Sequence, residues 1–274
     1  MTLPPIAGKF APQFEVDLLR RIGAETGSAL AAVVIIPARF GSTRFPAKIV
    51  ASATGKPLVQ HVVEQARKCV RVRDVIVAVD DARISAALKP FGTRCVMTAS
   101  SHQSGTDRIA EVARSLHDEI IVNVQGDEPE IEPRIIDDLV ARLETTDDDM
   151  ATAATPFPAG ADVNDSNLVK VVTGVDGRAI YFSRCPIPFH RDAASTGNAS
   201  YHLHLGIYAY RRTFLLQFAS WAPTPCELTE KLEQLRALEH GRSIYVLKVQ
   251  RATHGIDTAE QYAAFVRRYK GSGQ

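Results

Sequence analysis

Residues 32–36, Ala-Val-Val-Ile-Ile, form an unbroken aliphatic run that leads directly into a loop rich in Gly, Ser, Thr, Arg and Pro. A strand with one wet face alternates apolar and polar side chains. A run that is apolar at every position instead fits a strand buried on both faces of a parallel sheet. Further strands are predicted at 75–79, 94–97 and 119–124. Between them the spacing of apolar residues predicts helices at 57–70, 81–88, 105–116 and 132–143, the last opened by acidic residues and Pro133. Strands alternating with helices through about residue 145 predict right-handed βαβ units around a mostly parallel central sheet flanked by helices, an α/β class.

Beyond the acidic run 147–149 the pattern changes. Strands are predicted at 151–155, 168–173, 178–182, 205–210 and 243–249, with a hairpin turn at Val175-Asp-Gly-Arg178. An amphipathic helix is expected over 226–240, stopped at Gly241, and a closing helix over 258–269. This second part reads as mixed sheet inserted into the first and finally returning to it. Residues 1–30 read as an extension or packing strap, with three prolines in 1–12 and a short amphipathic helix at 14–21. There is no internal repeat and no low-complexity tract.

Charge narrows the function classes. The 32 Lys and Arg nearly balance the 31 Asp and Glu, leaving a net charge of +1, so nothing draws the whole chain to nucleic acid or an anionic membrane. The longest apolar run, 29–38, falls short of the roughly 20 residues a membrane helix needs. No charged segment followed by an apolar one opens the chain, so a secretory leader is not expected. Cys69, Cys95, Cys185 and Cys226 are scattered, without CxxC or zinc spacing, as expected of reduced thiols in a cytoplasmic protein.

Four loops carry candidate chemistry. The first, 37–48, follows the first buried strand, where ligands of open α/β sheets collect. Gly41, Ser42 and Thr43 offer backbone and hydroxyl donors, and Arg39, Arg44 and Lys48 offer cations, the combination a triphosphate requires. The spacing is neither a Walker loop nor GxGxxG, and a merely solvated basic loop would look similar. The second, Gln125-Gly-Asp-Glu-Pro129, puts Asp127 and Glu128 at the same sheet edge. A carboxylate beside a triphosphate suits Mg²⁺, although acidic pairs before proline are also ordinary turn residues. In the third, Ser104, Gly105 and Thr106 read as a helix N-terminus whose hydroxyls either cap the helix or face a ligand. In the fourth, Asp257 either caps the final helix or supplies a second metal ligand.

In order along the chain, IPARFGSTRFPAK, GKP, HQSGTDR, VNVQGDEP, VKVV, YFSR, PIPFHRD, HLGIYAYR and EKLEQLR resemble the 3-deoxy-manno-octulosonate (Kdo) cytidylyltransferases, over about residues 33–269. The resemblance implies a nucleotide-diphosphosugar-transferase-like α/β fold and a cytoplasmic homodimer. It also implies the Mg²⁺-dependent reaction of CTP with Kdo to give CMP-Kdo and pyrophosphate for lipopolysaccharide. The pattern along the chain and the resemblance together divide it into an extension (1–30), a nucleotide-binding half (31–150), a sugar-binding and dimerisation part (151–250) and a return helix (251–274). By matching motif, Ala38, Arg39, Ser42, Thr43, Arg44 and Lys48 would hold CTP with Thr98, Ser104, Gly105 and Gln125. Asp127 and Asp257 would bind Mg²⁺, and Arg39, Arg44, Lys48 and Asp127 would carry catalysis. Arg184 is the candidate for the sugar carboxylate, with His204, Tyr208, Glu233 and Gln234 for its hydroxyls. His204 reads equally as a buried imidazole, and Glu233 and Gln234 as the wet strip of a helix.

The chain departs from the family pattern at three places. His254 stands near the second candidate metal ligand, Leu203 replaces an Arg before His204, and Ala47 replaces the usual Gly. These departures keep a modified Kdo, such as 8-amino-Kdo, or another 2-keto acid sugar as the alternative acceptor. A glycosyltransferase would be expected to show a DxD motif after a central strand, whereas 147–149 lies beyond a helix. A non-catalytic nucleotide or sugar sensor would not need to keep Asp127, Asp257, Arg44 and Lys48 together.

Overall fold

The computed structural model describes residues 32–42, 44–191, 201–251 and 255–271. The N-terminal extension with its helix at 14–21, Thr43 and His254 lie outside the described residues. The strands are β1 (Ala32–Ala38), β2 (Val72–Val79), β3 (Arg94–Met97), β4 (Ile120–Asn123), β5 (Met150–Pro156), β6 (Lys170–Thr173), β7 (Ala179–Ser183), β8 (His202–Arg211) and β9 (Ile244–Lys248). The helices are α1 (Leu58–Ala66), α2 (Ala82–Leu88), α3 (Gly105–Ala113), α4 (Pro133–Thr145), α5 (Arg212–Phe218), α6 (Pro225–Glu230), α7 (Leu235–Glu239) and α8 (Ala259–Gly271).

The nine strands among the described residues belong to one sheet, ordered β3-β2-β1-β4-β8-β5-β9, with the β6–β7 hairpin joined through β8. β1 pairs in parallel with β2 and β4, and β2 with β3, whereas β8 runs antiparallel to both β4 and β5. The unbroken apolarity of β1 follows from its place at the centre of this sheet. Val34 and Ile36 pack on one face with side chains of α1, α2 and α4, such as Val59, Ile84 and Leu139. Val33 and Ile35 pack on the other with Ile109, Phe214 and Leu235. Alternate residues of a strand point to opposite faces, so a two-sided core needs both sets apolar.

One expectation changes, and two further features complete the fold. The helix expected over 226–240 is two short helices separated by a turn, with Lys231 left-handed at φ 54°. Apolar spacing continues across the break, but the carbonyls of Glu230 and Lys231 accept from the Arg184 guanidinium rather than from the next helical turn. The last strand, β9, closes the far edge of the sheet, parallel to β5. The chain returns to the first part through α8, whose Tyr262 and Phe265 pack with Ile256 and Leu58. Tyr262 also accepts the Ala53 N–H at 2.8 Å. Finally, α5 follows β8 without a breaker, and its Phe214, Leu215 and Phe218 fill the core below β4 and β8.

Candidate active site

The loop after β1 turns sharply at Ala47, a left-handed residue at φ 54°, and then enters a single 3-10 turn, Lys48–Val50. This turn drives the Lys48 side chain inward, leaving the residue only 7% exposed. Opposite it, Gly126 brings the loop after β4 against the end of β1, where an added Cβ would stand 3.1 Å from the Pro37 carbonyl oxygen. The close approach places Asp127 Oδ2 2.5 Å from Lys48 Nζ. The last loop is tied to the same place by the Ile256 N–H, which donates to the Asp127 carbonyl at 2.8 Å. Asp257 Oδ1 thereby lies 3.2 Å from Lys48 Nζ and 3.1 Å from an Arg44 nitrogen. Residues 44, 48, 127 and 257 come from three separate loops, and their charges meet at one point.

That point borders a cavity of about 350 Å³. Its wall includes Arg39, Ser42, Arg44, Lys48, Ser104, Gly105, Gln125, Asp127 and Asp257. α3 begins at the cavity, with Gly105 packed on Pro37, so its first free N–H groups and the positive end of its dipole belong to the same wall. Ser104 lines the cavity and also caps α3, its hydroxyl accepting the Asp107 N–H at 3.1 Å. Such a wall can take a polyanion.

Two residues assigned to CTP, Ala38 and Thr98, do not line the cavity. Ala38 is buried at the end of β1 with its side chain in the core. The Thr98 hydroxyl donates to the Val79 carbonyl at 3.0 Å and accepts from Arg108 at 2.6 Å, so it already has a partner in each role within the protein.

The candidate sugar residues form a second group. Tyr208 pairs with Asn123 across β8 and β4, and Gln125 reaches from the cavity wall to the Gly206 carbonyl at 3.5 Å. His204 Nε2 lies 3.0 Å from the Thr152 hydroxyl, which itself donates to the Ile207 carbonyl at 2.7 Å. The single hydroxyl proton being used there, Nε2 carries the imidazole proton and donates. Desolvation lowers the His204 pKa to about 3, so the ring is neutral, packed against Phe182 and Tyr208. Glu233 accepts a hydrogen bond from Thr106 in the first turn of α3, and burial raises its pKa. Gln234 is buried beside it in the chain.

The family model for cytidylyltransferases matches residues 33–244, which takes in the first three of the loops that meet at the cavity. The chain belongs to the cytidylyltransferase family. It is 47% identical to the 3-deoxy-manno-octulosonate cytidylyltransferase of Geobacter sulfurreducens, over 86% of this chain and 98% of that one. It is 45% identical to the enzyme of that name from Idiomarina loihiensis, over 88% and 98%. Among solved structures, a CMP:2-keto-3-deoxy-manno-octonic acid synthetase complexed with CTP superposes with a TM-score of 0.83 at 38% identity, covering 88% of this chain and 99% of that one. A 4-diphosphocytidyl-2C-methyl-D-erythritol synthase from Anaerococcus prevotii shares the fold, with a TM-score of 0.58 at 11% identity over 88% and 98%.

Within this cytidylyltransferase two assignments are corrected. Arg184 is a structural clamp: Nε and both terminal nitrogens donate to the carbonyls of Glu230, Ser166 and Lys231 at 2.6, 2.7 and 3.2 Å. A guanidinium so committed is not placed to read a sugar carboxylate. Leu203 packs with Phe157 and Tyr201 in a small apolar cluster, on the opposite face of β8 from His204. Arg108 gains importance. It is buried yet lines the cavity, and it closes the HQSGTDR motif that the sequence singled out without assigning it a role.

Proposed function

We propose that the chain transfers CMP from CTP to Kdo, the anomeric C2 hydroxyl attacking the α-phosphorus in line as pyrophosphate leaves. The observation that carries this reading is the meeting of Lys48, Arg44, Asp127 and Asp257 beside the start of α3. Arg39, Arg44 and Lys48 hold the triphosphate and offset the charge that moves to pyrophosphate, while the α3 N–H groups fix its oxygens. Gln125 stands between the cavity and β8, where Tyr208 and the neutral His204 orient the acceptor. Positioning and charge stabilisation then supply the catalysis, with no protein nucleophile.

The donor set fits Mg²⁺. Asp127 and Asp257 already share one cationic partner, and no three His, Cys, Asp or Glu side chains among the described residues form a cage of their own. Two carboxylates completed by phosphate oxygens and water are what this hard ion prefers. Bound there, it would neutralise triphosphate charge and polarise the α-phosphorus.

The reading includes a cytoplasmic homodimer working toward lipopolysaccharide. Exposed Val175, Ile180, Phe189 and Leu228 all fall in the second part, as apolar side chains at a subunit contact would. No helix among the described residues is long and apolar enough to cross a membrane. Pyrophosphate release is measured with CTP, Mg²⁺ and Kdo, 8-amino-Kdo or sialic acid, with ATP and UTP as controls. Release is expected with CTP and Kdo and is abolished by a chelator. Preference for another acid keeps the transferase and changes the acceptor. CTP binding without release from any sugar would make the protein a sensor.

A further inference from the structure

Asp80 directly follows β2 and is not part of the cavity wall, yet its two carboxylate oxygens reach two sides of that wall. Oδ1 accepts the Phe40 N–H at 2.9 Å, in the middle of the basic loop between Arg39 and Gly41, both of which line the cavity. Oδ2 accepts from an Arg108 terminal nitrogen at 3.3 Å. The Arg108 side chain is 5% exposed, and its other terminal nitrogen donates to Thr98. Thr98 is itself held at the end of β2 by its N–H and hydroxyl, which both donate to the Val79 carbonyl, at 2.8 and 3.0 Å. On the outer side, the Phe40 ring carries the Arg83 guanidinium at 3.6 Å, and Arg83 is paired with Asp81. The ends of β1, β2 and β3 and the first turn of α3 are thus joined through one carboxylate.

We infer that Asp80 is a positioning residue for CTP, setting the basic loop through Phe40 and the cavity face of α3 through Arg108 before the nucleotide arrives. A buried guanidinium without a partner would be costly and free to turn toward any acceptor. With Asp80 and Thr98 holding two of its N–H groups, its plane is fixed and its remaining donors stay with the cavity. Fixing the Phe40 N–H in the same carboxylate keeps Arg39 and Gly41 in register with that plane. The ordering cost that CTP would otherwise bear is met in the folded protein. The sugar region contributes no atom to this network, so the effect belongs to the nucleotide alone.

The inference rests on the cytidylyltransferase reading, so its test begins with CTP binding by calorimetry in the absence of sugar. Asp80→Asn is nearly isosteric and retains one acceptor but opposes an NH₂ group to one of its two partners. It should weaken CTP binding about tenfold, the scale of losing one hydrogen bond to a charged group. The KM for CTP should rise with it, while the KM for Kdo and the melting temperature stay near wild type. Asp80→Glu, which restores the charge, should recover part of the loss. In an Arg108→Ala background, Asp80→Asn should cost much less than it does alone, because one of its two targets is gone. Unchanged CTP affinity in Asp80→Asn overturns the inference and leaves the function standing, as does an equal rise in both KM values with a lowered melting temperature. Wild-type protein that binds no CTP overturns the function itself, and the inference with it.

Discussion

The nucleotide cavity and the region around α6 both concentrate charge, but they use it in opposite ways. At the cavity, Lys48 and Arg44 pair with Asp127 and Asp257, side chain to side chain. Phosphate oxygens and a divalent ion can replace such partners without unfolding anything. Around α6, Arg184 donates to three carbonyls and the fully buried Lys170 to those of Asp165, Leu168 and Arg184. Arg236 is locked to Glu227 at 2.7 Å in the core. No substrate can take the place of a main-chain carbonyl. One region keeps its cations exchangeable for a ligand, whereas the other uses them to hold an irregular turn in shape. A cation near a site is therefore judged by what it already touches.

The sharpest way to break this contrast is to swap the expected outcomes. Asp127→Asn should lower turnover with CTP and Kdo by about a thousandfold, the scale of losing a group aimed at transition-state charge. Its melting temperature should stay close to wild type, and near-normal pyrophosphate release would remove Asp127 from the reacting centre. Arg184→Ala should do the reverse, costing about 2 kcal/mol of stability as three carbonyls of the irregular turn lose their charged donor, with the KM for CTP unaffected. Denaturant titration checks this, and a rise in the KM for Kdo at unchanged stability would return Arg184 to the substrate.

A third effect is tied to pH. Desolvation, helped by the neighbouring Asp127 charge, raises the Glu128 pKa from 4.5 to about 8. The folded protein then holds a proton that the unfolded chain has released, so this group's contribution to stability falls from about pH 4.5 through pH 8. Glu128→Gln should remove that fall, so that in metal-free buffer its melting temperature gains on wild type as pH rises. Parallel profiles for the two proteins would show that Glu128 titrates normally. The smallest effect is expected at Ala47, whose positive φ glycine adopts freely. Ala47→Gly should stabilise the protein by up to about 1 kcal/mol, the left-handed strain offset partly by glycine's greater freedom when unfolded. A loss of stability on denaturant titration would show that the turn needs the methyl group.

The same contrast explains what could be read along the chain. β1 was legible because burial on both faces leaves every residue apolar, and the loops at 37–48 and 125–129 because a strand's end presents its next residues to the sheet edge. The break at Lys231 was not, because it depends on an arginine 47 residues away. Thr98 had the right residue type for a ligand, but its hydroxyl is taken by Val79 and Arg108. Asp80 and Arg108 meet across 28 residues, a distance over which periodicity carries no information. Asp257 reaches the site through a loop hydrogen bond and α8, although the strand before it lies at the other edge of the sheet.

That route has a consequence for the chain as it is made. The loops after β1 and β4 lie early in the chain, whereas the second carboxylate, Asp257, comes from residues 255–257, held by the Ile256 N–H on the Asp127 carbonyl and by the packing of α8 with Leu58 of α1. A nascent or prematurely ended polypeptide therefore possesses the basic loop long before it possesses the pair of carboxylates.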